Sequence, residues 1–209
     1  KLTEQLPEDG DARELLAKIK AEKARLVKDG KIKKEKPLPV ITEEEISFDI
    51  PESWCWVRLE QITTILGDGI HGTPKYDMAG EYRFINGNNL NDGRIEIKHD
   101  TKRVNRVEYQ KYKKVLDETT VLVSINGTIG NVAFYNGEKV ILGKSACYFN
   151  LIGNVSKYYV KLLLATDYFL KYAIGNATGS TIKNVSLKVM RQFIVPLPPL
   201  SEQLRIVDA

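Results

Sequence analysis

The apolar positions at the start of the chain repeat with the period of a helix. Leu15, Leu16, Ile19, Leu26 and Val27 fall along one stripe of an amphipathic helix. Asp11 with Glu14 resembles a capping box, Glu14 and Lys18 form a supporting pair one turn apart, and Gly30 ends the element. Glu22 and Lys23 interrupt the stripe, so the pattern predicts a partner-docking or coiled-coil helix, too polar for a buried core helix. Near Phe48 the pattern shortens. Trp54, Trp56, Val57 and Leu59 predict an aromatic-anchored first strand, followed by a helical turn over 60–65. Further short strands are expected at 82–85, 121–125, 131–135, 140–142 and 146–151, separated by the G-D-G, N-G, N-D-G and N-G-E punctuation of hairpins. One longer helix follows, with Ser156 as cap, a body over 158–174 and Gly175 as stop.

The closing stretch is bounded hard. A Gly-Ser turn leads to a short helix opened by Ser186, then a strand at 192–195. Pro196, Pro198 and Pro199 force an extended exit, because proline donates nothing to a ladder and cannot sit inside a helix. Ser201 is the expected cap of a last helix, whose first turn carries Glu202. The fold class expected from this order is α+β: a curved, antiparallel-rich sheet with helices at its end, preceded by an N-terminal helix.

Composition narrows the function classes. Hydrophobic content of 43% is ample for a core, yet no apolar run approaches the roughly 20 residues of a membrane span. The charged N-terminus has no signal-peptide core. Cys55 and Cys147 are far apart, lack metal-type spacing, and read as buried thiols in a reducing, cytoplasmic compartment. The net charge of +4 is modest but unevenly spread. Residues 139–191 hold eight Lys/Arg against Asp167, a local +7, whereas residues 37–63 hold six acids against Arg58, a local −5. Such segregation points to a polyanion-facing surface; solvated lysines are the plain alternative. The basic run 31–36 has no period and leads into prolines, so it reads as a linker, either solvated or a tethering arm for a polyanion.

Catalytic motifs are missing. The stretch 137–145 resembles a phosphate-binding loop, but five residues separate its glycines, and Val140, Ile141 and Leu142 read as a strand. Gly127 and Gly130 are too close for a dinucleotide fingerprint. No N-P-P-Y or D-P-P-Y tetrapeptide and no glycine-rich cofactor loop is present, so no catalytic residue and no cofactor is expected. His71 and His99 lack acidic or thiol partners at ligand spacing and read as polar loop residues, so no metal is expected either.

Four polar, glycine-jointed loops remain as candidate binding elements. The first, 67–76, carries Thr73 and Lys75 around Pro74. The second, 86–91, has four asparagines, among them Asn86, Asn88 and Asn89; asparagine pairs with adenine edges and also suits left-handed turns. The third, 124–130, offers Ser124, Asn126 and Thr128 beside glycines that let a phosphate approach. The fourth, 178–183, offers Ser180, Thr181 and Lys183. Lys144, Ser145 and Tyr148 complete the set within the basic block, and each loop also has a plain turn reading.

Several of these runs stand together in one known family. The closing Ile194-to-Val207 run, P-L-P-P-L-S-E-Q-L-R-I-V at its heart, resembles the end of a target-recognition domain in specificity subunits of type I restriction-modification systems. Upstream, the runs 28–39 and 50–59 resemble that family's passage from a spacer helix into its second recognition domain. Gly72-Thr73-Pro74 and the runs 84–95, 127–132 and 179–186 follow in the family's order. The resemblance implies a division into the end of a coiled-coil spacer helix and linker (1–36), a DNA target-recognition domain (37–200) and the start of a further spacer helix (201–209). It implies sequence-specific recognition of double-stranded DNA without catalysis. The implied partners are modification (methyltransferase) subunits held on the spacer helices, which bring the methyl donor and the chemistry, and a restriction subunit in the full complex, with no membrane involved. A whole specificity subunit has two recognition domains and two long spacers, so a fragment or half-subunit is expected here. The rival reading is a non-catalytic protein-interaction adaptor. A metal-free nuclease would need an acid-acid-lysine cluster on one strand, which the sequence lacks.

Overall fold

A computed structural model describes residues 3–209. Helix α1 (Ala12–Lys28) starts where expected, with the Asp11 carboxylate accepting the Arg13 N–H at 2.7 Å. Its packing differs from the expectation of a helix too polar for a core. Ala12, Leu15 and Ile19 are buried in the larger of two apolar cores, and Leu16 and Leu26 pack at its edge. The polar break in the stripe is itself an anchor: Lys23 Nζ donates to the Glu60 carbonyl and pairs with Glu35, both at 2.7 Å. Burial of the first half, and an ion-paired lysine where the stripe breaks, make α1 an integral helix of the domain.

Strand β1 (Cys55–Arg58) runs antiparallel to β11 (Ile194–Leu197), with Trp56 opposite Pro196. The proline is admitted because this sheet has two strands only, so each keeps one free edge. A 3-10 turn over Leu59–Ile62 leads into β2 (Thr63–Asp68), a strand the polar-apolar pattern did not predict. The main sheet has the order β2–β10–β7–β8, with β7 at Thr120–Ser124, β8 at Val132–Phe134 and β10 at Ala146–Leu151, all antiparallel. Both faces of β10 are covered. Cys147, Phe149 and Leu151 face the larger core, and Ala146 and Tyr148 the smaller one. The only polar residue in that strand, Asn150, is satisfied by Thr120, Asp117 and the Val115 carbonyl.

A second sheet joins β6 (Arg103–Val104), β3 (Tyr82–Ile85) and β9 (Val140–Leu142). Its β3–β9 pairing is parallel. Between β3 and β6 sits a hairpin of β4 (Leu90–Asn91) and β5 (Arg94–Ile95). Its turn is Asp92-Gly93, both at positive φ (42° and 82°), the geometry of a two-residue hairpin turn. Helix α2 (Arg106–Tyr112) follows β6, capped by Asn105, and was likewise unexpected. The class is α+β and predominantly antiparallel, with the strands distributed over four sheets and no closed barrel among the described residues.

The single long helix expected after Ser156 is two, α3 (Lys157–Leu164) and α4 (Asp167–Gly175). The break falls where Thr166 turns extended, donates to the Leu163 carbonyl at 2.6 Å and accepts the Phe169 N–H, capping α4. Ser186 caps α5 (Leu187–Gln192) as predicted. Ser201 caps nothing. Helix α6 (Leu200–Asp208) starts two residues earlier, on Pro199, whose extended backbone (φ −54°, ψ 151°) presents its carbonyl to the Gln203 N–H at 3.0 Å. The first turn of α6 is fastened by fully buried polar groups. Glu202 accepts from Trp54 Nε1 and Thr3 Oγ1 at 2.7 Å and from Gln5 Nε2, while Gln203 donates to the Pro198 carbonyl and accepts the Ser156 N–H, both at 2.9 Å. A buried carboxylate stays tolerable only with such a full set of donors. No helix among the described residues is long and apolar enough to cross a membrane.

The packing of α1 carries a testable consequence. Ile19 is fully buried against Gly153, so Ile19→Ala should lower unfolding free energy by about 2–5 kcal/mol. Urea titration of the chain measures it. A helix that merely extends from the domain would show almost no change.

Candidate functional site

Three of the four loops meet at one turn, Gly143-Lys144-Ser145 between β9 and β10, and the fourth is fastened to the third. The first loop reaches it through Ile70, whose N–H donates to the Leu142 carbonyl at 2.8 Å in a parallel bridge beside Gly143. The second reaches it through Asn86 and Gly87. Ser145 Oγ accepts the Gly87 N–H at 2.9 Å and donates to Asn86 Oδ1 at 3.1 Å. The third reaches it through Ile125, whose N–H donates to the Ser145 carbonyl at 3.0 Å. The fourth loop is tied to the third: Gly127 N–H donates to the Lys183 carbonyl, Val185 N–H to the Ile125 carbonyl, and Asn126 Nδ2 to Asn184 Oδ1. Elements distant in sequence therefore present one contiguous rim.

Glycine is required where these loops touch. A Cβ on Gly143 would stand 2.1 Å from Asn86 Oδ1, and one on Gly69 would stand 2.0 Å from the Leu142 carbonyl oxygen. The contact at Gly69 is to backbone, which cannot swing aside. The loops are close-packed rather than draped over the sheet.

The candidate residues divide by access. Thr73, Lys75, Asn88, Thr128, Lys144, Ser180, Thr181 and Lys183 are exposed on the rim, and Asn86, Asn126 and Ser145 are half-buried links between loops. Asn89, Ser124 and Tyr148 are enclosed at 5%, 0% and 5% exposure. Asn89 holds a 3-10 turn: its Oδ1 accepts the Asn86 N–H and its Nδ2 donates to the Glu96 carbonyl and Thr101. Ser124 Oγ accepts the Asn131 N–H at 2.9 Å. The Tyr148 ring lies against Gly67, and burial raises its phenol pKa. These three shape the rim from below and present nothing to a ligand.

The basic block of residues 139–191 is not a face. Lys139 pairs with Glu81, Lys161 with Asp92 and Arg191 with Glu60, while Lys157 donates to the Glu118 carbonyl. The ion-paired Asp92 carboxyl is held below the usual carboxylate range by the Lys161 ammonium. Of the eight cations, Lys144 and Lys183 stand on the loop rim. His71, expected to lack an acidic partner, lies 2.6 Å from Asp68 Oδ2. Two residues, Gly69 and Ile70, separate them, and the turn they make sets the pairing. Among the described residues no group of three or more His, Cys, Asp or Glu could hold a metal. Burial raises both thiols, Cys55 up to about 11, away from reactive thiolate character.

Scaffold and rim together define a recognition module: rigid α+β layers presenting a composite surface of hydroxyl, amide and lysine groups. A family model described as type I restriction modification DNA specificity domain matches residues 51–209. The chain is 32% identical to the specificity subunit of the type I restriction enzyme EcoAI from Escherichia coli, over all of this chain and 36% of that protein. It is also 32% identical to the EcoEI specificity subunit from Escherichia coli, over 99% of this chain and 35% of that protein. The chain thus spans about a third of the length of these curated relatives. Among solved structures, the HsdS subunit from Thermoanaerobacter tengcongensis aligns with a TM-score of 0.53 at 19% identity, covering 94% of this chain and 48% of that one. A chain from a structure of a type I R-M system describing complex assembly and conformational transition aligns with a TM-score of 0.56 at 20% identity, covering 94% and 45%. With the family model matched over most of its length, the chain belongs to the type I restriction modification DNA specificity domain family.

The split between exposed and enclosed asparagines is measurable. Asn89→Ala removes a buried side chain with three hydrogen bonds and should cost about 1–3 kcal/mol in a thermal or urea melt. Asn88→Ala, on the exposed side of the same turn, should leave the melt unchanged.

Proposed function

We propose that the chain is a DNA target-recognition domain that binds one half of a bipartite double-stranded site through the rim built around Gly143–Ser145. The observation that carries this reading is the convergence of three separate loops on one turn, with the fourth bonded to the third, presenting Lys75, Lys144 and Lys183 beside Thr73, Asn88, Thr128, Ser180 and Thr181. Lysines and hydroxyls suit phosphate oxygens, which position a protein on the duplex; amides suit base edges, which specify sequence. Asn88 is exposed where Asn89 is enclosed, so base reading at this turn falls to it and not to Asn89.

In this proposal residues 1–36 and 201–209 are the spacer portions, 37–200 the recognition unit, and α1 and α6 lead toward modification subunits. Those subunits supply the methyl donor and the chemistry, a restriction subunit joins in the full complex, and the assembly works in the cytoplasm. The domain itself contributes binding and no catalysis.

Two measurements test the reading. Duplex affinity should fall steeply with salt, and Lys144→Ala and Lys183→Ala should each lower the slope of log affinity against log salt by about one unit, equally on all sequences. Asn88→Ala should instead cost roughly 1–3 kcal/mol on the cognate site alone. An adaptor for protein partners would show no duplex binding at low salt. Calorimetry of the isolated chain with S-adenosylmethionine should give no heat of binding; a measurable association would place methyl-donor binding in this domain.

A further inference from the structure

A dense run of positive charge lies between the second and third loops, outside all four. Residues 98–114 hold seven Lys/Arg, namely Lys98, Lys102, Arg103, Arg106, Lys111, Lys113 and Lys114, against Asp100 and Glu108. None of the seven forms an ion pair among the described residues, in contrast to the cations of 139–191. Glu108, the acid on α2, is 6% exposed, and its carboxylate accepts the Lys75 N–H at 2.9 Å and forms no ion pair with the run. Lys102, Arg103, Arg106, Lys111 and Lys113 are all exposed.

We propose that the β6–α2 segment is a phosphate-contacting flank of the DNA interface, with Lys102, Arg106, Lys111 and Lys113 as its contacts. The inference rests on the DNA-binding reading above and extends it to a surface outside the four loops. Continuity with those loops is direct. Asp77 N–H donates to the Arg103 carbonyl and Phe84 N–H to the Lys102 carbonyl, both at 2.9 Å, and Lys98 Nζ donates to the Asn88 carbonyl at 2.7 Å. The first and second loops are thus bonded to the same segment that carries the charge, and a duplex seated on Lys75 and Asn88 meets it.

The segment is also stiff. Tyr109 stacks on Tyr82 with ring centroids 4.0 Å apart, fixing α2 on the second sheet. Lys102 lies over the Tyr76 ring at 5.9 Å and Lys111 over Tyr112 at 4.8 Å, which limits the freedom lost when a phosphate is engaged. The surface chemistry favours nucleic acid over an acidic protein. Protein interfaces centre on a desolvated apolar patch, whereas protein–DNA interfaces are polar and strongly positive. Here Val107 is the single exposed apolar residue on α2, surrounded by cations.

The test uses the 209-residue chain and a random-sequence duplex, with Lys102→Gln, Arg106→Gln, Lys111→Gln and Lys113→Gln combined. Gln keeps the stems and removes the charge. The slope of log affinity against log salt should fall by about 3.6, at roughly 0.9 for each of the four phosphate contacts, and cognate and random duplexes should lose equally. A control with Lys18, Lys20, Arg25 and Lys28 of α1 changed to Gln removes the same net charge and should leave the slope near its original value. If the fourfold variant melts early, Lys111→Gln with Lys113→Gln carries the same test with half the change. An unchanged slope in the α2 variant, with the Lys144 and Lys183 effects intact, would overturn the flank and leave the DNA reading standing. Equal losses in the α1 control would reduce the effect to net charge and also overturn it. Absence of duplex binding by the unaltered chain would remove both readings together.

Discussion

The Ser145 hydroxyl sits where the second and third loops meet the β9–β10 turn. It accepts from the Gly87 backbone and donates to Asn86, while its own carbonyl accepts from Ile125. Gly143, two residues earlier, leaves no room for a side chain against Asn86. One hydroxyl and one missing methyl group thus fix the spacing between the second loop, the third loop and the β9–β10 turn. The fourth loop follows, because it is hydrogen-bonded to the third. Surface loops tied at this many points lose little further freedom when a ligand arrives, and that preorganisation favours affinity.

Beneath the rim, the two cores divide the labour. The smaller core lies beneath the second and third loops, with Ile85, Leu90, Leu122, Leu142 and Tyr148 in contact. The larger one binds the sheet to the helices and to both terminal segments. Strand β10 lies between them with both faces covered, so a change on one face is transmitted by the same backbone to the other. The larger core also contains the first half of α1, and the buried Glu202 of α6 accepts directly from residues 3 and 5 and from Trp54. The two terminal segments are parts of one packed body, so any partner bound near α1 or α6 acts on a rigid mount.

Charge shows how far linear order can mislead. The block 139–191 is conspicuous because it has one acid in it, yet its partners Glu81, Asp92 and Glu60 come from elsewhere in the chain. The shorter run 98–114 keeps its cations free because its one acid on α2 is turned inward to a backbone N–H. Surface ion pairs are individually weak, but they decide which cations remain available to a polyanion.

Local chemistry was legible without coordinates. Asp11 and Ser186 cap their helices, three strands end at the residues their apolar runs name, and the Asp92-Gly93 turn closes its hairpin, because each depends on neighbours within a few positions. Motif order along the chain was sufficient to name the family. What depended on distant residues was not legible. Strand β2 exists because β10 pairs with it, and α1 is a core helix because Gly153 and Glu60 receive Ile19 and Lys23. Whether Asn88 or Asn89 faces solvent was settled by Glu96 and Thr101, which take up the Asn89 amide. In each case the deciding partner lies outside the local run, at a separation that only chain topology sets, and a side chain's function follows from which partner reaches it first.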